Sequence, residues 1–260
     1  KVEEEYLSPT QPFPTHIPHL VDPLVTRDDA FGMVLIDQWW CGNMIEDLNN
    51  EGWYTPPSVK GTINMPGNGG GNNWGSPAIN PDTGVMVVFT SRVPGRAKLT
   101  PREDCEGISQ QQAGTPYCVQ TGFALSPLGV PCTKPPWGTV DAIDLSAGKV
   151  LWSTPLGTSR NMAPFPFWWI KGLPGLGAVM MTDSGLVFAS ISNNHYLRVF
   201  DVKNGEQLWE QELPTAANAT PMTYQVGDRQ FVVVAAGGHW GGGSPPGDYI
   251  MAFALPKLSR

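Results

Sequence analysis

The sequence predicts an all-β protein, and three observations lead to that class. VDAIDLSAGKVLW at residues 140–152 and LRVFDVKNGEQLW at residues 197–209 repeat one pattern, with Gly four and Trp eight residues after an Asp. Apolar runs of strand length repeatedly follow turns that contain Gly, Asp or Asn. The 30 Gly and 26 Pro among 260 residues favour many turns over long helices.

The repeated pattern has the features of a β-hairpin. Each Asp ends an apolar run, and each Gly can adopt a positive φ in a tight turn without steric cost. The returning strand then carries Trp152 or Trp209. We therefore expect two equivalent hairpins in two structural repeats.

Three further hairpins are predicted where a turn precedes a buried strand. The turns at residues 80–84, 182–185 and 223–229 lead into the runs VMVVFT at 85–90, LVFAS at 186–190 and QFVVVAA at 230–236. A unit of so few strands cannot bury its own face. Stacking at a period of about 40–50 residues is typical of propeller blades rather than of a helical solenoid. We count about three units, the last closing with DYIMAFAL at residues 248–255.

The first 60 residues differ from the rest. Residues 1–30 are Pro-rich and should form an extended arm. Residues 31–52 predict one short helix, with Trp39, Trp40 and Met44 on its apolar face. Residues 61–260 would then supply about three blades, joined by long loops, to a single domain that spans 1–260.

Charge and hydropathy exclude some functions. The net charge is −7 with no basic cluster, so we expect no nucleic-acid partner. No apolar run of about 18 residues is present, and the amino end lacks the pattern of a signal peptide. We expect the chain as given to be soluble and to belong to something larger.

Four cysteines are present: Cys41, Cys105, Cys118 and Cys132. Their spacing fits no CxxC motif, so zinc is not expected. Three fall in a loop-like insertion at about residues 93–136, which a disulfide would stabilise in an oxidising compartment. Four reduced, buried thiols remain an alternative, because connectivity cannot be deduced from sequence.

Two glycine-rich segments are candidate ligand loops. GTINMPGNGGGNNW at residues 61–74 lacks the Lys-Ser/Thr and the βαβ context of a phosphate loop. AAGGHWGGG at residues 235–243 carries His239 and Trp240. In a propeller, loops at strand ends line the axial channel, so the two segments could meet over one flat ligand. An ordinary turn and a structural histidine are the alternatives.

Several motifs resemble one family. GTPYCVQTGFALSPLGVPCTKPPWG at 114–138, the two Trp repeats and ATPMTYQVGDRQFVVVAAGGHWGGGSPPG at 219–247 look like the carboxy-terminal half of membrane-bound pyrroloquinoline-quinone (PQQ) dehydrogenases of the glucose/quinate/shikimate type. SPTQPF, DQWWC, YTPPS and MPGN extend the resemblance to nearly the whole chain. It implies an eight-bladed β-propeller, with the repeats as tryptophan-docking motifs and a complementary polypeptide supplying the remaining blades.

The resemblance also implies a function. Such enzymes oxidise a polyol, sugar or cyclic hydroxy acid with PQQ and Ca²⁺ (or Mg²⁺), and pass electrons to ubiquinone. The expected location is the periplasm, with attachment to the inner membrane through another segment or subunit. The catalytic carboxylate and most PQQ and metal contacts would lie in the amino-terminal half, so this chain receives no catalytic or metal residue.

Five residues acquire expected roles from the resemblance. Asn68, Asn73 and Trp74 resemble the cofactor-side loop, and Trp240 in the second glycine-rich segment is assigned to the cofactor with them. His239 resembles the position beside substrate and quinone, where an imidazole can hydrogen-bond a hydroxyl group.

Departures from the family leave the substrate open. Asn193-Asn194-His195 stands where glucose-oxidising relatives tend to have an acidic residue, and residues 216–218 (AAN) replace their usual GGQ. With the periplasmic location that the resemblance implies, Cys105 and Cys118 are the pair expected to form a disulfide, since they close a short polar loop. Two other functions compete: a propeller-type binding module that has lost the cofactor, and a non-catalytic assembly factor, which would lack the two glycine-rich loops.

Overall fold

The computed structural model describes residues 9–108, 110–163, 165, 167–239 and 243–256. The described part contains one α-helix, α1 (Leu35–Asp47), and fourteen strands. The strands are β1 (Thr62–Asn64), β2 (Ala78–Asn80), β3 (Val85–Ser91), β4 (Gly95–Pro101), β5 (Tyr117–Phe123), β6 (Gly138–Asp144), β7 (Lys149–Pro155), β8 (Gly177–Met181), β9 (Leu186–Ile191), β10 (Asn194–Asp201), β11 (Gln207–Glu212), β12 (Met222–Val226), β13 (Arg229–Ala236) and β14 (Tyr249–Phe253). The predicted all-β class with one short helix is confirmed. Of the described helices, none combines the length and the apolar character that a bilayer crossing requires.

The chain divides into two compact units. Among the described residues, those within 1–15, 19–71 and 92–134 form the first unit, and those within 16–18, 72–91 and 135–260 form the second. The single domain over residues 1–260, with its arm and helix in 1–60 and its blades in 61–260, stays a prediction.

Three antiparallel sheets form the second unit. Their strand orders are β2-β3-β6-β7, β11-β10-β9-β8 and β12-β13-β14. The predicted hairpins are present as the pairs β2–β3, β8–β9 and β12–β13. The strand predicted at residues 248–255 is β14, which pairs with β13.

The repeated pattern folds as the sequence predicts. β6 and β10 end at Asp144 and Asp201, and β7 and β11 return with the Trp residues. The turn glycines Gly148 and Gly205 have φ values of +62° and +71°. Hydrogen bonds from the Ser146 hydroxyl and the backbone of the same turn lower the pKa of Asp144. An ionised Asp thus closes the first turn.

Apolar side chains fill the spaces between successive sheets. One cluster, between the first two sheets, includes Val87, Val140, Ala189 and Phe200. A second joins the β8–β11 sheet to the β12–β14 sheet and includes Leu197 and Val234 among others. Because alternate residues of β10 enter opposite clusters, both of its faces are buried. The apolar residues Leu197, Val199 and Phe200 are therefore divided between the two faces of the strand.

The two repeat tryptophans contact the neighbouring sheet. Trp152 Nε1 donates a hydrogen bond to Val202 O at 2.7 Å. A Cβ added at Gly205 would lie 2.5 Å from the Trp152 ring, so only glycine permits this close packing. The ring of Trp209 packs edge-on against Phe253 of the third sheet at 5.7 Å. Each repeat thus places its indole on the next repeat along the chain.

The first unit holds a sheet of order β1-β4-β5. The insertion at 93–136, expected to be loop-like, contains the β4–β5 hairpin, which is paired over seven positions. Both strands are rich in polar residues and half exposed, so they lack the apolar run that marks a buried strand. Long loops remain between β4 and β5 and after β5, whereas only residues 92–94 separate β4 from β3.

Helix α1 confirms the predicted helix but turns a different face inward. Trp39, which is 59% exposed, and Trp40 point outward, contrary to the prediction, while Met44 packs against the core of this unit as expected. The buried positions are Asp37, Cys41, Gly42 and Ile45, and three of them, Asp37, Cys41 and Ile45, are spaced by one turn. Of the predicted arm, residues 1–8 lie outside the described residues, and residues 9–26 form neither helix nor strand.

All four cysteines form disulfides. Cys105 pairs with Cys118, as expected, across a sequence separation of 13 residues. Cys41 of α1 pairs with Cys132 across 91 residues, a pairing that the sequence did not suggest. The alternative of four reduced thiols is therefore wrong. The longer link fixes the inward face of α1, because Cys41 is fully buried at the disulfide.

Candidate functional site

The connections between strands of the second unit gather at one end of its sheets. In an antiparallel sheet, successive connections alternate between the two ends. One end carries only short hairpin turns. The other end carries the longer connections and the two-residue turn between β9 and β10, and we call it the loop end. It consists of the described residues within 72–77, 156–176, 192–193, 213–221 and 237–248.

A turn ahead of β2 presents an indole at the loop end. Asn72 Nδ2 donates hydrogen bonds to Phe89 O at 2.8 Å and to Thr90 Oγ1 at 3.3 Å. Asn73 Oδ1 accepts a hydrogen bond from Trp74 N at 2.9 Å. The side chain of Trp74 is 82% exposed. The amides therefore fix the turn, and the ring face of Trp74 is open to a ligand.

The same turn is pressed against two other segments. A Cβ added at Gly75 would overlap the carbonyl oxygen of Gly177, at the start of β8. Thr220 Oγ1 donates a hydrogen bond to Gly75 O at 3.4 Å. The glycine is needed here for close backbone approach rather than for an unusual φ.

The β11–β12 connection, which contains Thr220, also holds the second glycine-rich segment. Gly238 N donates to Ala216 O at 2.9 Å, and Asn218 Nδ2 donates to Gly238 O at 3.0 Å. Gly238 has a φ of +70°, and a Cβ there would overlap Pro245 O. A side chain at this position would therefore displace the segment.

His239 follows directly and is half-buried. Its backbone N donates a hydrogen bond to Ser244 Oγ at 2.9 Å. Residues 240–242, including the predicted cofactor residue Trp240, lie outside the described residues. Residues 215–220 contact Gly75 on one side and Gly238 on the other. The structure thus brings Asn73, Trp74 and His239 to the same end of one unit.

Asn68 belongs to the first unit and is exposed. Its Oδ1 lies 3.0 Å from the position of a Cβ on Gly95, and Gly67 N donates to Val93 O at 2.8 Å. The glycine-rich segment predicted as one loop at 61–74 is therefore divided between β1, this turn and the turn of the second unit. The role of Asn68 at the cofactor stays a prediction.

Sequence reasoning missed a set of polar residues that hold the loop end together. Asn193 Nδ2 donates to Pro174 O at 2.7 Å, and Leu176 N donates to Ser192 Oγ at 2.9 Å. Asn194 is fully buried, and its Nδ2 donates to Thr158 O at 3.1 Å. The polar triplet SNN at residues 192–194, between two apolar strands, could have indicated this structural role. Sequence reasoning related Asn193 and Asn194 to substrate choice instead.

The loop end supplies amide, indole and imidazole groups. Across the described ranges, no group of three or more His, Cys, Asp or Glu side chains is arranged to hold a metal ion. Amides donate hydrogen bonds to carboxylate and carbonyl oxygens, and an exposed indole offers a flat apolar face. These groups suit a flat ligand that carries oxygen acceptors.

Comparison with known proteins identifies relatives of this chain. The family described as PQQ glucose/ethanol/alcohol dehydrogenase, beta-propeller domain, matches residues 1–232. Quinoprotein glucose dehydrogenase A of Acinetobacter calcoaceticus is 40% identical over 97% of the chain. Quinate/shikimate dehydrogenase (quinone) of Acinetobacter baylyi is 35% identical over 97%, and the glycerol dehydrogenase large subunit of Gluconobacter oxydans is 34% identical over 96%.

The chain spans about a third of the length of these relatives, between 33% and 37%. Among solved structures, quinohemoprotein alcohol dehydrogenase from Comamonas testosteroni superposes with a TM-score of 0.53 at 24% identity. That match covers 77% of this chain and 28% of the other. At this identity the likeness concerns the fold alone.

Proposed function

Because the chain belongs to the PQQ glucose/ethanol/alcohol dehydrogenase β-propeller family, we propose that it is part of a quinoprotein dehydrogenase that oxidises a polyol, sugar or cyclic hydroxy acid. Relatives named as glucose, quinate/shikimate and glycerol dehydrogenases support this substrate class. All three names describe substrates that carry hydroxyl groups on carbon.

The observation that carries the proposal is that Asn73, Trp74 and His239 lie at the same end of the second unit, where residues 215–220 contact both segments that carry them. PQQ is flat and carries carboxylates and quinone oxygens, so it fits an exposed indole face beside amide donors. When bound, PQQ supplies the oxidising group that accepts hydride from the alcohol carbon. We assign Trp74 to the ring face and Asn73 to an oxygen acceptor, with Asn68 and Trp240 as further cofactor residues.

His239 is proposed to bind the substrate. An imidazole on a glycine-flanked turn can hydrogen-bond a substrate hydroxyl group and orient it. The second unit anchors the turn through Ala216, Asn218 and Ser244, so the ring would be positioned before substrate arrives. The base that removes the hydroxyl proton, and the ligands of Ca²⁺ or Mg²⁺, are proposed to lie in the remaining polypeptide.

We also propose that the three sheets of the second unit are blades of an eight-bladed propeller. The contacts of Trp152 with Val202 and Gly205 support a tryptophan-docking role for the repeats. A complementary polypeptide would supply the other blades, since the chain spans only a third of its relatives. The sequence resemblance favours the carboxy-terminal part of such a protein.

Location and electron acceptor follow as proposals from chemistry. Two disulfides are typical of an oxidising compartment such as the periplasm. A relative named as a quinone-dependent enzyme supports ubiquinone as the acceptor. Attachment to the inner membrane through another segment or subunit would bring the enzyme to that acceptor.

The test uses the protein isolated from its natural source with every polypeptide that accompanies this chain. Absorption spectroscopy and mass spectrometry should find bound PQQ and the remaining blades. Removal of PQQ should abolish alcohol oxidation, and PQQ with Ca²⁺ should restore it. A complete protein that binds no PQQ, either as isolated or after reconstitution, would instead be a propeller-type binding or assembly module.

A further inference from the structure

The β7–β8 connection contains a loop with a fixed base, which we call the finger (residues 158–171). Thr158 and Lys171 form an antiparallel bridge at its base. Ser159 N donates to Ile170 O at 3.1 Å inside this bridge. Buried Leu156 and Leu173 continue the pairing into the core, where Leu173 N donates to Leu156 O at 2.9 Å. The finger is therefore anchored to the sheet.

The tip of the finger presents large apolar side chains outward. Phe165 is 76% exposed and Trp169 is 59% exposed, and Met162 and Trp168 are also exposed. Trp168 Nε1 donates to Ala163 O at 2.8 Å, and its ring lies edge-on to Phe165 at 5.5 Å. Contacts within the tip thus fix the position of Trp168, and the aromatic side chains of the tip remain exposed to solvent. Exposed apolar patches of this kind usually mark an interaction surface.

The charge around the finger opposes that of the whole chain. The chain has 23 acidic residues and a net charge of −7, but residues 145–182 contain no Asp or Glu. Lys171 is exposed at the base. Arg160 lies 3.5 Å from Glu210, which also pairs with Arg198 at 3.3 Å, so two guanidinium groups share one carboxylate. Since Arg198 is buried, Arg160 and Lys171 are the basic side chains that the finger exposes.

We propose that the finger inserts into the headgroup region of a bilayer that contains anionic phospholipid. Indole rings favour the membrane–water interface, where their apolar body is buried and their N–H group stays hydrated. Lys and Arg beside such rings are attracted to anionic headgroups. The finger and the strands on either side of it carry basic but no acidic side chains of their own, and the carboxylate that contacts the finger, Glu210, is paired with two guanidinium groups, which suits an anionic lipid surface. The inference does not depend on PQQ binding.

A single fluorescent label reports this contact. All four native cysteines of this chain are in disulfides, so an introduced cysteine is the only reactive thiol that the chain contributes, and the protein without it gives the labelling background. Phe165→Cys in the complete protein is labelled with the environment-sensitive dye NBD and mixed with phosphatidylcholine/phosphatidylglycerol vesicles that contain doxyl-labelled lipid. The matched control is Asp228→Cys, on the exposed β12–β13 turn at the opposite end of its sheet from the loop end. The Asp228→Cys substitution removes a negative charge, which by itself favours contact with anionic lipid. Absence of quenching at position 228 is therefore a strict control.

The label at position 165 should shift to the blue on these vesicles and be quenched by doxyl lipid, and the label at 228 should do neither. Trp168→Ser with Trp169→Ser should reduce the quenching at 165, as should vesicles of phosphatidylcholine alone. No quenching at 165 would overturn the proposal. Emission that is already shifted to the blue without vesicles, and that doxyl lipid does not quench, would also overturn the proposal. In that case polypeptide, not lipid, would cover the finger. Equal quenching in phosphatidylcholine alone would refute the role of anionic lipid.

Discussion

Substitution of Gly205 tests whether the indole of one repeat fixes the turn of the next. Gly205 has a φ of +71°, and a Cβ there would lie 2.5 Å from the Trp152 ring. Gly227, in the β12–β13 turn, has a φ of +62°, but a Cβ there would meet nothing within 4 Å. The two glycines share a backbone conformation and differ in what lies beside them.

The expected costs follow from that difference. Placing Ala in the left-handed region costs about 1–2 kcal/mol at either position. At Gly205 the new methyl group must also displace a packed indole, and overpacking of this kind costs a further ~1–3 kcal/mol. Gly205→Ala should therefore destabilise the protein by about 2–5 kcal/mol, and Gly227→Ala by about 1–2 kcal/mol.

Urea unfolding of the complete protein, followed by tryptophan fluorescence, measures both values. A double-mutant cycle separates the indole contact from backbone strain. In a Trp152→Ala background only the contact of the new methyl group with Thr154 Oγ1, at 2.6 Å, remains, so Gly205→Ala should cost less than in the wild type, while the cost of Gly227→Ala should not change. Equal costs for the two glycine variants in the wild-type background would refute the packing argument. So would an unchanged cost of Gly205→Ala after removal of the indole.

Three further predictions concern substrate, disulfides and a buried charge. His239→Asn should raise KM more than it lowers kcat and reduce kcat/KM roughly tenfold to a hundredfold, because it removes a substrate hydrogen bond. Asn73→Ala should lower PQQ occupancy without changing the order of preferred polyols. If steady-state kinetics of His239→Asn show an unchanged KM for every polyol at full PQQ occupancy, His239 has a structural role instead. Removing the first disulfide by Cys105→Ser with Cys118→Ser should lower the free energy of unfolding by about 3 kcal/mol. Removing the second by Cys41→Ser with Cys132→Ser should lower it by about 4–5 kcal/mol, because that link closes the longer loop. The opposite order in denaturant unfolding would contradict this account. Arg198 is only 2% exposed, and burial lowers its pKa while Glu210 opposes that shift. Glu210→Gln should therefore destabilise the protein by about 1–3 kcal/mol, a value already reduced for the partial exposure of Glu210. The control Glu206→Gln, on the exposed turn, should change stability by less than about 0.5 kcal/mol. Equal effects of the two variants would show that Arg198 does not need its partner.

Features determined by local chemistry were predictable from the sequence. A strand that ends at Asp144, a glycine with positive φ and a returning strand with Trp152 depend on a few adjacent residues, and all three were expected. The Cys105–Cys118 pair lies within one short loop and was expected for a similar reason. That the two glycine-rich segments meet over one ligand was suggested only in the context of a propeller and stays a prediction; the structure shows that Gly75 and Gly238 both contact residues 215–220.

Features that depend on distant residues were not predictable in the same way. The face of α1 that turns inward is set by the link of Cys41 to Cys132, and the helix sequence alone favoured Trp39 and Trp40 because both are apolar. Asn194 is buried because Thr158, far away in the chain, accepts its hydrogen bond. A polar residue of this kind looks like a surface residue until its partner is known.

The turn ahead of β2 has a consequence for variation and design. Its attachment depends on Asn72 and on Gly75, which touches a neighbouring backbone so closely that no side chain is tolerated. Trp74, between these anchors, has its ring almost entirely free. A library that randomises position 74 and keeps 72 and 75 constant should therefore yield folded proteins with altered ligand preference. Evolvability at this position follows from strict constraint at its neighbours.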